Sequence, residues 1–408
     1  MPQEPGVEPG LARRLGVTDA VVIGMCAMIG AGVFAAFAPA ARAAGSWLLA
    51  GLAIAAVVAY CNAMSTASLA ARHPESGGVY TYGRRELNDT YGFLAGWSFL
   101  VGKTASCAAM ALTIGSYLAP ECGKRLAVAA VLALTAVNYR GVTKTAALAR
   151  GLLGLTLVLL LASVAFALTG TDAQQSIVDG LARPIPVYGV LQAAGLLFFA
   201  FAGYARIATL AGEVRDPART LRRAIPLALG LTIALYALVG IALLVALGPE
   251  RLAQSVAPVV EAAGPNWLAI LVRVGAAIAC IGALLTLIAG VSRTGMAMAH
   301  GGDLPGWLGA VHPRFRVPHH AELAVGAVVI AIVLLTDLRG AIGFSSFGVL
   351  VYYAVANLAA LRRFRRWYSV LGLAGCAILL VTLPVPAILA GAGVLAVGLL
   401  LRMIRGHA

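Results

Sequence analysis

Two stretches decide the fold of this chain: Ile29-Gly30-Ala31-Gly32-Val33-Phe34 and Phe199-Ala200-Phe201-Ala202-Gly203-Tyr204. Each lies in the middle of an apolar segment, with four hydrophobic spans between them. Small residues at that place break a membrane helix. A break frees backbone N–H and C=O groups, which hydrocarbon tolerates only where they line a cavity or bind something. Interrupted helices at matching positions of two halves point to a transporter's substrate site.

Composition sets the medium. The 408 residues are 61% hydrophobic and 11% charged, with mean hydropathy +0.92. Apolar stretches of about 18 or more residues, each able to cross roughly 30 Å of hydrocarbon, recur along the whole length. One polytopic membrane domain is expected, with no soluble module. A polar tail over 1–17 precedes the first apolar run. That run exceeds signal-peptide length and has no clear small-residue cleavage site, so it reads as a retained span. The net charge of +14 reads as the positive-inside bias of a membrane protein, not as a nucleic-acid footprint. The six cysteines show neither metal-ligand spacing nor a disulfide framework. No cofactor and no metal are expected.

The hydropathy pattern predicts twelve helices, near 18–42, 46–70, 92–118, 125–140, 147–169, 187–211, 224–247, 267–298, 321–336, 340–361, 367–383 and 385–402. Short polar loops make neighbouring helices antiparallel. With the N-terminus inside, 21 of the 30 basic residues fall in cytoplasmic loops and six outside, while Lys103, Arg206 and Arg273 fall within spans. That bias predicts a multi-pass protein of the cell membrane with both termini cytoplasmic. The breaks fall in the first and sixth spans, five apart. Five is odd, so a second five-helix unit would enter upside down. The expected architecture is therefore all-α: a 5+5 inverted repeat (18–170 and 187–361) with discontinuous helices 1 and 6, two further helices over 367–402, and a tail over 403–408.

From Thr18 to Arg363 the chain resembles the amino acid–polyamine–organocation (APC) permeases of LeuT-like fold. The residues that carry the likeness begin with Ile29 to Phe34. They continue with Pro74-Glu75-Ser76-Gly77-Gly78-Val79-Tyr80, Gly92-Phe93-Leu94-Ala95-Gly96-Trp97 and Asn138-Tyr139-Arg140-Gly141-Val142. Further on come Phe198 to Tyr204, Glu213-Val214-Arg215-Asp216-Pro217-Ala218-Arg219, Arg223-Ala224-Ile225, Ser292-Arg293 and Gly302-Asp303-Leu304-Pro305. The resemblance implies an amino acid substrate and transport by alternating access.

The backbone chemistry agrees. Freed N–H groups near Ala31 and Gly32, flanked by Ile29 and Gly30, form a donor cluster at a half-helix N-terminus that suits a carboxylate. Carried over from the family, the carbonyls of Phe199 and Ala202, beside Gly203, would take the ammonium, and the Phe199 ring would gate the site.

Charged residues inside spans are expensive and mark function by default. Lys103, in Gly102-Lys103-Thr104-Ala105-Ser106, falls two turns after Gly96-Trp97. It is a candidate to carry a coupled proton, to pair with an anionic substrate group, or to snorkel. Arg206 follows Tyr204-Ala205, and many APC relatives have an acidic residue where Ala205 stands. Its absence argues against a polyamine and for a neutral or acidic amino acid. Glu213 is a candidate latch of an inner gate, and Tyr204 a second gating candidate. The helix-five lysine of some proton-coupled relatives falls on Thr156 here, so that carry-over fails. Thr286 is the one mid-span hydroxyl on the eighth helix for a sodium site, too few for sodium. The expected coupling is to protons.

The reading that results is a secondary transporter, not an enzyme, for an amino acid with a neutral side chain. An uncoupled exchanger, a polyamine or organic-cation permease and a membrane-embedded enzyme are the alternatives. The last lacks any span histidine or paired acids. Monomer and homodimer are both open, and no nucleic acid is expected.

Overall fold

Long runs of Ala, Leu, Val and Ile, almost free of charge, can satisfy their backbone in lipid only by closing hydrogen bonds within each segment. The computed structural model, which describes residues 16–73, 78–141, 146–169, 174–182, 184–204, 207, 214 and 216–405, is helical in each of those runs. The first span is α1 (Val17–Met28), α2 (Ala31–Ala35) and α3 (Phe37–Ala44). It is followed by α4 (Leu48–Arg72), a short loop helix α5 (Val79–Glu86), α6 (Asp89–Leu118), α7 (Gly123–Tyr139) and α8 (Ala146–Ala167). Then come α9 (Gln174–Ala182), α10 (Val187–Phe201), α11 (Pro217–Gln254) and α12 (Pro258–Glu261). The chain ends with α13 (Asn266–His300), α14 (His319–Leu335), α15 (Leu338–Phe364), α16 (Trp367–Thr382) and α17 (Val385–Arg405).

Among the described residues nine stretches are long and apolar enough to cross a membrane, and His319–Leu335 and Trp367–Thr382 are shorter apolar helices. The predicted spans and observed helices coincide to within a few residues, with two exceptions. Helix α11 runs from Pro217, ahead of its predicted start at 224, to Gln254 past a non-helical Gly248 at φ 70°. The predicted end of the sixth span at 211 lies outside the described residues. Three loop helices, α5, α9 and α12, fall outside the predicted spans. The predicted breaks are real in both places, as described below.

Local signals set the ends. The Asn88 side chain accepts the Tyr91 N–H at 3.0 Å and starts α6; Asp337 does the same for Gly340 at 2.7 Å and starts α15. Pro217 opens α11, where its missing N–H costs nothing. Hydroxyls inside the spans are neutralised on their own helix, as when Thr113 donates to the Ala109 carbonyl at 2.7 Å.

The helix α6 is the centre of the bundle. Of its most apolar window 83% is buried, against 17% for the outermost, Val385–Ile404. It lies against α15 at a small-residue crossing, where a Cβ on Gly102 would stand 3.0 Å from the Val349 nitrogen. Without a hydrophobic drive in lipid, such close backbone approach is what holds helices together. The Ser106 and Ser345 hydroxyls hydrogen-bond across it at 2.6 Å. Lys103 is thereby placed next to the tightest contact of the central pair.

Motifs far apart in sequence meet at the α6 entry. The Tyr80 hydroxyl donates to Asp303 Oδ2 at 2.8 Å, and Arg84 donates to the Tyr80 oxygen at 2.8 Å and to Asp89 at 3.0 Å. Arg402 lies over the Phe93 ring at 5.0 Å and donates to the Asp89 carbonyl at 2.6 Å. Burial, then the Asp303 hydrogen bond, pushes the Tyr80 phenol well above its ordinary value. Of the cysteines, only Cys122 is exposed, and all six are free thiols.

Candidate functional site

The first break lies at Ile29 and Gly30, whose backbones leave the helical region (Ile29 φ −82°, ψ 59°; Gly30 φ −116°, ψ −128°). Helix α2 starts afresh at Ala31, so its first N–H groups, those of Ala31 and Gly32 included, have no acceptor within the helix. The second break follows Phe201. The chain tightens into a 3₁₀ turn over Ala202–Tyr204, and the Ala202 N–H is spent on the Phe199 carbonyl.

The two breaks touch. A Cβ on Gly32 would stand 2.7 Å from the Ala200 Cα. A Cβ on Gly203 would stand 2.6 Å from the Met28 nitrogen and run into the Ala27 carbonyl group. Glycine at both places is what lets the two backbones cross at their interruptions. Helices α6 and α13 close over the same place, since the nearest atoms to a Cβ on Gly30 belong to Ala283 (3.1 Å) and Met110 (3.9 Å).

Tyr236, on α11, pins the crossing. Its hydroxyl lies 2.6 Å from the Met28 carbonyl of the first break and 3.1 Å from the Ala200 carbonyl of the second. One donor hydrogen is thus shared between the two freed acceptors. Its ring is fully buried and packs on Phe37 and Phe201. A second tyrosine, Tyr117, donates to the Phe34 carbonyl at 2.7 Å. Sequence reasoning missed both. The only available signal was a phenol in an apolar span, whose hydroxyl needs a buried partner.

Lys103 reaches the second break. Its Nζ donates to the Ala202 carbonyl at 3.0 Å, and the residue is 7% exposed. Among the described residues its ammonium has no carboxylate partner. Tyr204, fully buried on the same turn, stacks on Tyr353 of α15 with ring centroids 5.0 Å apart.

The structure therefore brings Ile29, Gly30, Ala31, Gly32, Phe199, Ala202, Gly203, Tyr204 and Lys103 to one place. Two expectations need correction. The Phe199 carbonyl is already the acceptor of the Ala202 N–H, so it is not the bare acceptor expected. Thr286 is not brought to the breaks: it is on the exposed side of α13, and its hydroxyl is spent on the Ala283 and Gly282 carbonyls of its own helix. Arg206 and Glu213 lie outside the described residues, as do Ala205 and the stretch 74–77.

What the site can do follows from its groups. It offers N–H donors from α2 and a carbonyl turn carrying a cation. Among the described residues no group of His, Cys, Asp and Glu is placed to hold a metal. A helical multi-pass bundle whose two broken helices cross at their breaks is built to carry a small solute across a membrane, not to transform it. The comparison with known proteins is specific: the chain belongs to the amino acid permease family, whose model matches residues 15–400. An uncharacterised transporter of Mycobacterium tuberculosis is 60% identical over 397 residues, covering 95% of this chain and 90% of that protein. A branched-chain amino acid permease of Bacillus subtilis is 27% identical, over 86% of this chain and 81% of its own length. A human cationic amino acid transporter is 26% identical, over 88% of this chain and 61% of its own length.

Proposed function

We propose that this permease moves an amino acid with a neutral side chain across the cell membrane by alternating access, coupled to protons, with both termini in the cytoplasm. The observation that carries the reading is the contact of the two breaks, with the Lys103 ammonium on the Ala202 carbonyl. The N–H groups of Ala31 and Gly32 would hold the carboxylate, and the Ala202 carbonyl the ammonium. Outer and inner paths to that point would open in turn as the bundle of the first, second, sixth and seventh spans rocks.

Neutrality rests on charge. A lysine or arginine side chain would bring a further cation beside Lys103, where no described carboxylate compensates it; like charges at that spacing in a poorly screened site repel strongly. The branched-chain permease among the relatives agrees with this choice, and the cationic transporters do not. Proton coupling rests on Lys103 as the titratable group at the breaks and on the placement of Thr286, which leaves sodium without its hydroxyl. Uptake into proteoliposomes, with a panel of labelled amino acids under imposed pH or sodium gradients, tests the reading. Flux of neutral amino acids that responds to pH and not to sodium is expected. No flux and no binding of any of them would overturn it.

A further inference from the structure

A carbonyl that is meant for a substrate's ammonium is already held by the protein's own. The Ala202 oxygen accepts from Lys103 Nζ at 3.0 Å, and the neighbouring Ala200 oxygen faces the Tyr236 hydroxyl at 3.1 Å. The Phe199 oxygen takes the Ala202 N–H. The carbonyls of Phe199, Ala200 and Ala202 thus each already face a donor of the protein itself. Two ammonium ions on one buried oxygen, with no described carboxylate of the protein between them, repel each other.

We infer that Lys103 is a built-in occupant of the amino-group subsite, so that a zwitterionic amino acid binds there only as Lys103 gives up its proton, which fixes the coupling as substrate–proton exchange. The inference rests on the proposed function, since it needs a substrate with an ammonium group. In the step itself one Nζ–H bond breaks, the electron pair stays on the nitrogen, and the proton goes to water on the side to which the site is open. The neutral amine no longer competes for the Ala202 oxygen, which is released to the arriving ammonium. Return of the proton expels the substrate. A carrier that crosses with one cation or the other moves amino acid and proton in opposite directions. Under an inward proton gradient it works as an exporter.

The surroundings leave Lys103 as the group that responds. On its own helix Cys107, one turn on, is the titratable neighbour that acts on it. From the elements packed against α6, the ionisable groups in mid-span are Cys280 of α13 and the phenols Tyr352 and Tyr353 of α15, with Tyr204 beside the turn. The charged ones belong to helix ends and to the turn after α6: Arg84, Arg85 and Glu86 of α5, Glu121 of the turn, Lys124 and Arg125 of α7, Arg273, Arg293 and His300 of α13. The same holds for His319, His320 and Glu322 of α14, Arg339, Arg362 and Arg363 of α15, and Arg402 and Arg405 of α17.

The test is calorimetric binding of the twenty standard amino acids to purified protein between about pH 6 and pH 9, in buffers of different ionisation enthalpy. For the wild type we expect affinity to rise with pH, by up to about tenfold per unit where Lys103 is mostly charged, with up to one proton released per amino acid bound. Lys103→Met should bind at least as tightly, without proton release and without pH dependence. Lys103→Arg, a cation that does not let go, should lose about 100-fold or more in affinity. Lys103→Gln serves where Met does not fold, as judged by thermal melting. Wild-type binding without proton release, or weaker binding by both neutral variants at high pH, would overturn the inference and leave the amino acid reading standing. No binding by wild type or neutral variants would overturn that reading itself.

Discussion

The two helix breaks are unlike in how much of their freed backbone the protein keeps for itself. At Ile29–Gly30 the α2 N–H groups have no acceptor within their helix, and Tyr236 caps only the Met28 carbonyl. At the second break the carbonyls of Phe199, Ala200 and Ala202 face donors of the chain itself: the Ala202 N–H, the Tyr236 hydroxyl and the Lys103 ammonium. One break is an open donor site, and the other is an acceptor site filled from within. A backbone interruption is thus only half a binding site; the side chains around it decide whether it is empty or occupied.

The sharpest way to break this picture is to close the crossing. Gly203→Ala drives a methyl into the Ala27–Met28 backbone, and Gly32→Ala drives one into Ala200, neither of which can swing away. Each should cost roughly 3 kcal/mol or more and abolish uptake, read by melting temperature and proteoliposome flux. Gly30→Ala meets only side chains, the nearest at 3.1 Å. It should cost about 1 kcal/mol and leave measurable flux. Equal damage by Gly30→Ala would mean that the first break is as tightly committed as the second.

Tyr236→Phe removes the hydroxyl shared by the two breaks, taking a donor from the Ala200 carbonyl and leaving the Met28 carbonyl with the Gly30 N–H at 2.9 Å. A loss of about 1–3 kcal/mol is expected, with a lower rate of transport and little change in the fold by circular dichroism. If stability is unchanged, the shared bond does not hold the crossing.

A smaller effect contrasts the breaks with the loop helix α5. Burial tends to raise the Glu86 carboxyl, but the His73 and Arg72 hydrogen bonds and charges outweigh it and hold the group below its usual 4.5. The His73 contact is 2.7 Å and the Arg72 contact 3.2 Å. A depressed carboxylate contributes stability above its unfolded value, and that stability is lost as pH falls through the folded one. Thermal melts below about pH 4.5 should therefore drop more steeply for wild type than for Glu86→Gln. Parallel curves would remove Glu86 as a contributor.

Smallest of all, Thr286→Val should leave uptake and its sodium response unchanged, because the hydroxyl lies on the exposed side of α13. A lost sodium response would restore the threonine to the site.

Much of the scaffold could be read before the structure. The breaks were visible because small-residue runs stand out in segments that are otherwise Leu-, Val- and Phe-rich, and Lys103 because a charge stands out in hydrocarbon. The loop helices α5, α9 and α12 were missed because short, partly polar helices carry too few turns for a clear period. The side that Thr286 faces was not legible for a different reason. In a span that is apolar all round, lipid-facing and protein-facing sides look alike.

The sequence by itself determined the medium, the spans, the two interruptions and the family, because each depends on local composition: lipid fixes segment length, and small residues fix where a helix can part. Only the tertiary structure decided what the interruptions meet. Which carbonyl Lys103 takes, that Tyr236 joins both breaks, and that Gly32 and Gly203 are spent on one crossing are contacts between residues 36 to 208 positions apart. No local pattern carries that information, since a hydrogen bond is satisfied by whichever partner packing brings within 3 Å.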